Sequence, residues 1–178
     1  MGHCRCLRRF STLLATLATL ALLAACAGDR DTGEPSFYRS LAENDAQLDA
    51  AMAATMISGY RRNNGLGAVT IDPELMAIAQ AQAQAMAARD KLGHEVLGPF
   101  GERLRAQGYR AKTAAENIGA GHHTLAEAFS SWRGSPPHRA NMLLNGATRI
   151  GIAAAYAPNS KYKVYWALIL AAPEEARG

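Results

Sequence analysis

Apolar residues recur at helical spacing after the first forty positions of the chain. They are separated by four or seven residues and comprise Leu41, Leu48, Met52, Met56 and Tyr60. This spacing predicts a helix from about Tyr38 to Asn63, because residues four or seven apart share one helix face. Asn63, Asn64 and Gly65 follow the pattern and are typical of a helix end.

A second helix is predicted from Pro73 to about Lys91. Asp72 suits the N-cap, Pro73 the first turn and Glu74 the positive end of the helix dipole. The predicted buried face is formed mainly by small residues and repeats every three or four positions, at Leu75, Ile78, Ala79, Gln82 and Met86. A shorter helix is predicted for Phe100 to Gln107, before Gly108.

The second half of the chain contains two more helix starts and a strand pair. Thr124 and Glu127 have the spacing of a capping box, which predicts a helix to about Trp132. Ser135 and Pro136 are expected to cap a brief helix across His138 to Leu143. Apolar segments at Ile150–Tyr156 and Tyr162–Leu170, with a turn between them, predict a β-hairpin. Helices followed by a late sheet, without βαβ alternation, indicate the α+β class.

The first 25 residues are typical of a secretory leader. Basic residues at Arg5, Arg8 and Arg9 precede an apolar run from Ser11 to Ala25. A run of this length is short for a bilayer crossing, so a permanent membrane span is the weaker interpretation. The run ends in LLAAC at Cys26, which resembles the lipobox of bacterial lipoproteins. That resemblance predicts a lipoprotein signal peptide at 1–25 and lipidation at Cys26, with a plain secretory signal as the alternative.

Residues 26–37 are small, charged and interrupted by proline, which predicts a flexible tether after the lipidated cysteine. Cys4 and Cys6 lie in the leader and Cys26 is the lipidation candidate, so no disulfide is expected in the mature domain. Removing the three leader arginines leaves 16 basic against 15 acidic residues. This balance, with no basic cluster, argues against nucleic acid as a partner.

Five short motifs together resemble the bacterial CAP domains, also called SCP-like domains. They are YRRNNGL at 60–66, GH at 93–94, AENI at 115–118, SWRGSPPHRANML at 131–143 and YW at 165–166. The resemblance implies an α-β-α sandwich with a central antiparallel sheet over residues 38–173, followed by a polar tail at 174–178. It also implies a cleft containing His94, His138 and Glu116.

These three residues are the candidate site, and two interpretations of them stay open. Two imidazoles and a carboxylate could hold zinc or another divalent metal and leave a position for water. Alternatively, the glutamate forms a polar network that orients the histidines without a metal. Separations of 22 residues mean that only the fold could bring the three together.

Several neighbouring residues are considered for roles at this site. Many family members have a second glutamate where this chain has Ser135, and Glu127 is a weak substitute because it already has a capping role. Pro137 replaces the glycine usual in bacterial relatives. The remaining candidates are predicted to have structural roles rather than to bind a ligand. His122 and His123 are expected in a solvated loop, and Arg139 and Asn141 are expected to form hydrogen bonds with loops or a carboxylate. The aromatic residues are expected in the core or the cleft wall; they are Trp132, Tyr165 and Trp166.

Two functions remain under consideration. The first is an extracytoplasmic binding module for a lipid, a cell-envelope polymer or a protein. The second is a metal-dependent hydrolase using His94, His138 and Glu116, which lacks a clear general base; Ser131 and Ser135 are not in a nucleophile-elbow motif. The expected location is the cell envelope, facing the periplasm or exterior. Ala27 after Cys26 favours the outer membrane if the cell is Gram-negative, and no pattern specifies an oligomeric state.

Overall fold

The first helix of the domain begins later than the sequence predicts. In a computed structural model, which describes residues 33–174, α1 spans Ala50–Asn63. The Asp49 side chain accepts a hydrogen bond from the Met52 amide at 2.9 Å, which fixes the helix start there. The predicted start at Tyr38 is therefore wrong, although Ser36–Tyr38 form a short 3₁₀ turn. Leu41 is buried outside the helix, and its amide donates to the His123 carbonyl.

Some predictions concern residues that the structure does not describe. The leader, Cys26 and the tail beyond Glu174 lie outside the described residues. Among residues 33–174, no helix has the length and apolar character that a bilayer crossing requires.

The second helix, α2 (Pro73–Ala88), begins as predicted. Asp72 Oδ1 accepts hydrogen bonds from the Glu74 and Leu75 amides at 3.0 and 3.2 Å. The five predicted face residues are all buried, and the helix ends three residues before Lys91. A strand of two residues, β1 (Thr70–Ile71), precedes α2.

Three shorter helices follow: α3 (Phe100–Ala106), α4 (Leu125–Gly134) and α5 (Pro136–Met142). The capping box of α4 is present, with Thr124 and Glu127 each accepting from the other's backbone amide. Ser135 occupies the N-cap of α5, but its side chain makes no capping hydrogen bond. The helix start at that point relies on Pro136, whose backbone is already set for the first turn.

The sheet contains one long strand that the sequence analysis did not predict. Its order is β1-β3-β4-β2, where β2 is Ala111–Ala120, β3 is Arg149–Tyr156 and β4 is Val164–Pro173. The β3–β4 hairpin is confirmed, and β2 pairs antiparallel with β4. The short β1 pairs parallel with β3, so only the three long strands are antiparallel.

Helices cover both faces of this sheet and create two apolar cores. One core lies between the sheet and the helices α1, α4 and α5, and includes Trp132 and Trp166. The other lies between the sheet and the helices α2 and α3, and includes Met86 and Tyr165. Alternate residues of β4 enter opposite cores, which is why this strand is buried on both sides. The three predicted core aromatics are confirmed, and the α-β-α arrangement is as expected.

Candidate functional site

Glu116 lies on β2 and forms a buried ion pair. Its side chain is 2% exposed. Arg103 Nη2, from α3, donates to both carboxylate oxygens at 2.8 Å. The Nδ1 atom of His94 lies 2.9 Å from Glu116 Oε1. Both oxygens of the buried carboxylate are therefore engaged by protein groups, which offsets the cost of removing its charge from water.

His94 lies on the loop between α2 and α3, and the backbone of this loop is held on two sides. Gln82 Nε2 donates to the Gly93 and His94 carbonyls at 2.8 and 3.2 Å. Arg103 donates to the His94 carbonyl at 3.1 Å and to the Gly98 carbonyl at 3.2 Å. The His94 side chain is nevertheless half exposed. Because a carboxylate accepts from Nδ1, this nitrogen carries a proton, and the Nε2 atom is an acceptor whenever the imidazole is neutral.

His138, the second predicted histidine, lies in α5 and is anchored through its backbone. Its carbonyl accepts from Asn117 Nδ2 at 2.9 Å. Burial, with a smaller contribution from the nearby His94 imidazole, lowers the pKa of His138 below its usual value. His138 Nδ1 is buried and has no hydrogen-bond partner among the described residues. A neutral imidazole with an unpaired nitrogen thus lies near His94.

Asn141 connects α5 to the strand that carries Glu116. Its amide donates to the Glu116 carbonyl at 3.1 Å and to Asn117 Oδ1 at 2.9 Å. The prediction that Asn141 has a structural role is confirmed. Arg139 is exposed, and its side chain forms no hydrogen bond or ion pair within residues 33–174.

The sequence analysis missed Arg103, which is central to the site. Its charge gave no signal, because α3 also contains the exposed Arg105, and only the register of the helix buries one of them. Asn117 was also missed as a separate contributor, although it lies inside the AENI motif. Gln82 was predicted on the buried face of α2, but its contact with the His94 loop was not.

The family model for CAP, described as the cysteine-rich secretory protein family, matches residues 54–170, which is more than half of the chain. The chain belongs to the CAP family. The protein YkwD of Bacillus subtilis, described as uncharacterized, is 33% identical over 99 residues, covering 54% of this chain. The chain spans only 38% of the length of that relative.

Solved CAP structures share the fold. An extracellular protein with an SCP domain from Bacillus anthracis aligns with a TM-score of 0.60 and 22% identity, over 68% of this chain and 39% of that chain. An outer surface protein of Borrelia burgdorferi aligns with a TM-score of 0.62 and 17% identity, over 71% and 93%. A cysteine-rich secretory protein from Staphylococcus aureus gives 0.59 and 18%, over 72% and 40%.

The residues considered beside the CAP cleft have structural roles. Glu127 Oε2 accepts hydrogen bonds from the His123 and Thr124 amides at 2.6 and 3.2 Å, so its carboxylate is committed to capping α4. Pro137 occupies the first turn of α5, where a missing amide hydrogen costs little. Ser135 is partly buried at the N-cap of the same helix.

The His122–His123 segment is more firmly held than the solvated loop that the sequence suggests. The His122 carbonyl accepts from the Trp166 indole at 2.8 Å, and the His123 carbonyl accepts from the Leu41 amide at 2.7 Å. Burial lowers the pKa of His122. These contacts tie the loop to β4 and to the segment before α1.

The contacts of Glu116 bear on whether a metal fits the site. Within residues 33–174, no group of three or more His, Cys, Asp or Glu side chains is placed to hold a metal ion. Glu116 already binds Arg103 and His94 through its two oxygens, and a cation beside it would face the guanidinium. Zinc sites use at least three protein ligands. Glu116 as a metal ligand does not fit these contacts. Metal binding by His94 and His138 stays a prediction.

Proposed function

We propose that this CAP-domain protein is exported, anchored by lipid at Cys26, and binds an extracytoplasmic ligand in the cleft around His94 and His138. Export is supported by the basic and apolar halves of the leader and by the LLAAC sequence. It is also supported by the descriptions of two proteins of the same fold, one extracellular and one at the outer surface.

The observation that carries the binding role is the saturated carboxylate of Glu116. The metal-dependent hydrolase considered above would use the carboxylate of Glu116 to bind the metal or to move a proton. Glu116 is buried and bound by Arg103 and His94, so it is not free for either task. The network instead fixes the orientation of His94, which suits recognition of a ligand.

The exposed groups of His94 and of the loop that carries it define the ligand chemistry that we infer. The neutral form of His94 offers Nε2 as an acceptor, and the positive charge of Arg103 is paired with Glu116. Leu92 and Leu97, on the same loop, are 43% and 41% exposed. A ligand that carries a hydroxyl or amide donor for the imidazole, next to an apolar portion for the leucines, would match these groups. Lipids, envelope polymers and proteins can each offer such a group.

A titration followed by NMR tests the cleft. The chain from Gly28 onward would be titrated with a muropeptide, a fatty acid and a sterol, while the imidazole signals of its histidines are recorded. We expect one ligand class to shift the His94 signal and the shift to disappear in His94→Gln. His123→Ala serves as the matched control, because His123 is exposed outside the cleft. Shifts confined to His122 or His123 would contradict the proposal.

Metal binding and hydrolysis are tested in parallel. Thermal unfolding with zinc and with magnesium should be unchanged in the wild type, since a metal that bound the folded state would raise its stability. A zinc-dependent increase that is lost in both His94→Ala and His138→Ala would instead establish a metal there. Turnover of peptide, ester or wall-fragment substrates that vanishes in Glu116→Gln would favour the hydrolase over the binding module.

The lipid anchor is tested by fractionating cells. We expect the full-length wild type in the membrane fraction and Cys26→Ser in the soluble fraction, because the thioether that anchors the chain forms at this thiol. Cys4→Ser is the control, since this cysteine lies within the leader. A soluble wild-type protein would rule out the anchor while leaving the cleft proposal untouched.

A further inference from the structure

The two edges of the sheet differ in how the outward backbone groups of their strands are hydrogen-bonded. At the β2 edge, the helices supply side-chain donors to outward carbonyls: Asn141 Nδ2 bonds the Glu116 carbonyl at 3.1 Å, and Trp132 Nε1 bonds the Ile118 carbonyl at 3.1 Å. These contacts close the edge against pairing with another strand.

The β3 edge is covered only over its first part. The Thr70 and Asp72 amides donate to the Thr148 and Ile150 carbonyls, both at 2.9 Å, before the chain turns away into α2. The next outward amide, that of Ile152, donates to the thioether sulfur of Met76 at 3.3 Å. Thioether sulfur is a weak acceptor on a flexible side chain, so this amide is weakly satisfied.

Beyond Ile152 the same edge has backbone groups that face no neighbouring strand in the part of the chain that the structure describes. Backbone groups of a strand alternate between its two neighbours, so Ala154 faces the same side as Ile150 and Ile152. Strand β1 pairs with β3 only at Arg149 and Ile150. The outward amide and carbonyl of Ala154 therefore have no strand partner within residues 33–174.

A groove follows this edge, where the chain at the start of α1, the helix α2 and the strand β3 meet. Its volume is about 310 Å³, and its lining includes Leu48 and Ala50, Met76 and Gln80 of α2, and Ile152 and Ala154 of β3. All of the lining side chains are uncharged. We refer to these six residues as the β3 groove.

We propose that the β3 groove binds an extended, uncharged peptide segment of a partner protein by β-strand addition. Outward backbone donors and acceptors spaced along a strand are matched best by another extended chain, which supplies the missing hydrogen bonds. A charged segment would lose hydration there without a counter-charge. That excludes the chain's own residues 27–32, of which three are charged.

A second folded copy that pairs through the same edge is the alternative occupant, and the oligomeric state of the free protein distinguishes it from a peptide segment of a partner. The groove is at the opposite edge of the sheet from Glu116, so its occupancy does not depend on the cleft.

Amide hydrogen exchange of the free protein tests whether the edge is open. We expect the Ala154 amide to exchange much faster than the amides of Ala153 and Ala155, which face β4. Equal protection of the three amides would overturn the proposal, because the Ala154 amide would already have a partner. A dimer in sedimentation analysis, with Ala154 protected, would assign the edge to a second copy and also overturn it.

A peptide titration tests the occupant. The probe is an acetylated and amidated hexapeptide of alternating threonine, valine and alanine, with an N-methylated version that cannot donate hydrogen bonds. The parent peptide should shift the Ile152 and Ala154 amide signals and slow exchange at Ala154, whereas the N-methylated version should not. Absence of these shifts, or equal shifts with both peptides, would overturn the proposal.

Two variant pairs complete the test. Ala154→Pro removes the outward amide and should weaken peptide binding about tenfold or more, whereas Ala154→Val keeps the amide and should bind as the wild type does. Gln80→Glu should weaken binding, while Ala77→Glu places the same charge on a residue of α2 that does not line the groove and should bind as the wild type does. Equal affinities within either pair would overturn the proposal. His94→Gln should leave peptide binding unchanged, which separates this site from the cleft.

Discussion

Arg103 and Glu116 form the ion pair on which the cleft depends. The guanidinium contacts Glu116, the His94 carbonyl and the Gly98 carbonyl, and its carbon lies 5.3 Å from the centre of the Phe100 ring. Both members of the pair are buried. Either charge left alone at this depth would be strongly unfavourable, so the two residues act as a unit.

Replacing Arg103 with methionine should therefore destabilise the protein by about 3–5 kcal/mol, because Glu116 would remain buried without a counter-charge. Urea unfolding measures this change. Arg105→Met, at an exposed position of the same helix, should cost little. The double variant Arg103→Met with Glu116→Gln should regain part of the loss, and strictly additive effects would show that the pair is not coupled.

Tyr109 is expected to lower the free energy of unfolding as the pH rises above 10. Burial, reinforced by the carboxylate of Asp72, raises the pKa of Tyr109 to about 12. The unfolded chain ionises at its usual pKa of 10, so folding stability is fully present below pH 10 and declines between pH 10 and about 12. Tyr109→Phe should flatten this decline in unfolding measurements. Tyr38→Phe, at an exposed ring, is the control, and an unchanged slope in Tyr109→Phe would contradict the assignment.

At the scale of elements, the helix α2 packs so closely against the strand β3 that the strand needs a glycine, Gly151, at the point of contact. A Cβ atom built on Gly151 would lie 2.7 Å from Leu75 Cβ and nearer still to the Leu75 carbonyl group. The first turn of α2 therefore packs directly on the backbone of β3. This close contact leaves Met76 placed to reach the Ile152 amide.

Gly151→Ala should destabilise the protein by about 1–3 kcal/mol, since the added methyl group meets backbone that cannot move aside. Gly59→Ala is the matched control. Gly59 lies inside α1, and apart from its chain neighbours and the nearby backbone of the helix itself no atom lies within 4 Å of the position that an added methyl group would take. Alanine there should stabilise the helix by about 0.5–1 kcal/mol. Chemical denaturation measures both, and equal effects of the two substitutions would contradict the packing argument.

At the scale of the whole molecule, two apolar cores on opposite faces of one sheet hold the domain together. Residues from Glu34 onward form one compact unit. All three cysteines precede Ala27, so the unit has no thiol for a disulfide. Burial of the aromatic and aliphatic side chains of both cores supplies the main stabilisation.

The chain from Gly28 onward should consequently unfold in a single thermal transition whose midpoint is the same with and without a reducing agent. The β4 strand contributes residues to both cores, which should couple their unfolding. Calorimetry measures the transition. Two separate transitions would show that the cores unfold independently and would contradict the coupling through β4.

The amino-acid sequence by itself determined the elements whose signals are local. The Asp72 cap, the Thr124–Glu127 capping box and the β3–β4 alternation each depend on residues within a few positions, and each is confirmed. The family motifs also selected Glu116 and His94, which are in contact. Strand β2 escaped detection because its alanine-rich sequence has weak strand propensity, and its pairing with β4 is a long-range interaction.

Only the tertiary structure decided what those residues can do. The register of α3 buries Arg103 rather than Arg105, and the positive guanidinium of Arg103 therefore lies against the carboxylate of Glu116. The early turn into α2 leaves the later part of the β3 edge without a strand partner among the residues that the structure describes. Both outcomes arise from packing between segments that are far apart in the chain. The energy of an ion pair or of a hydrogen bond depends on how deeply that packing buries it, and residue type alone does not determine this depth.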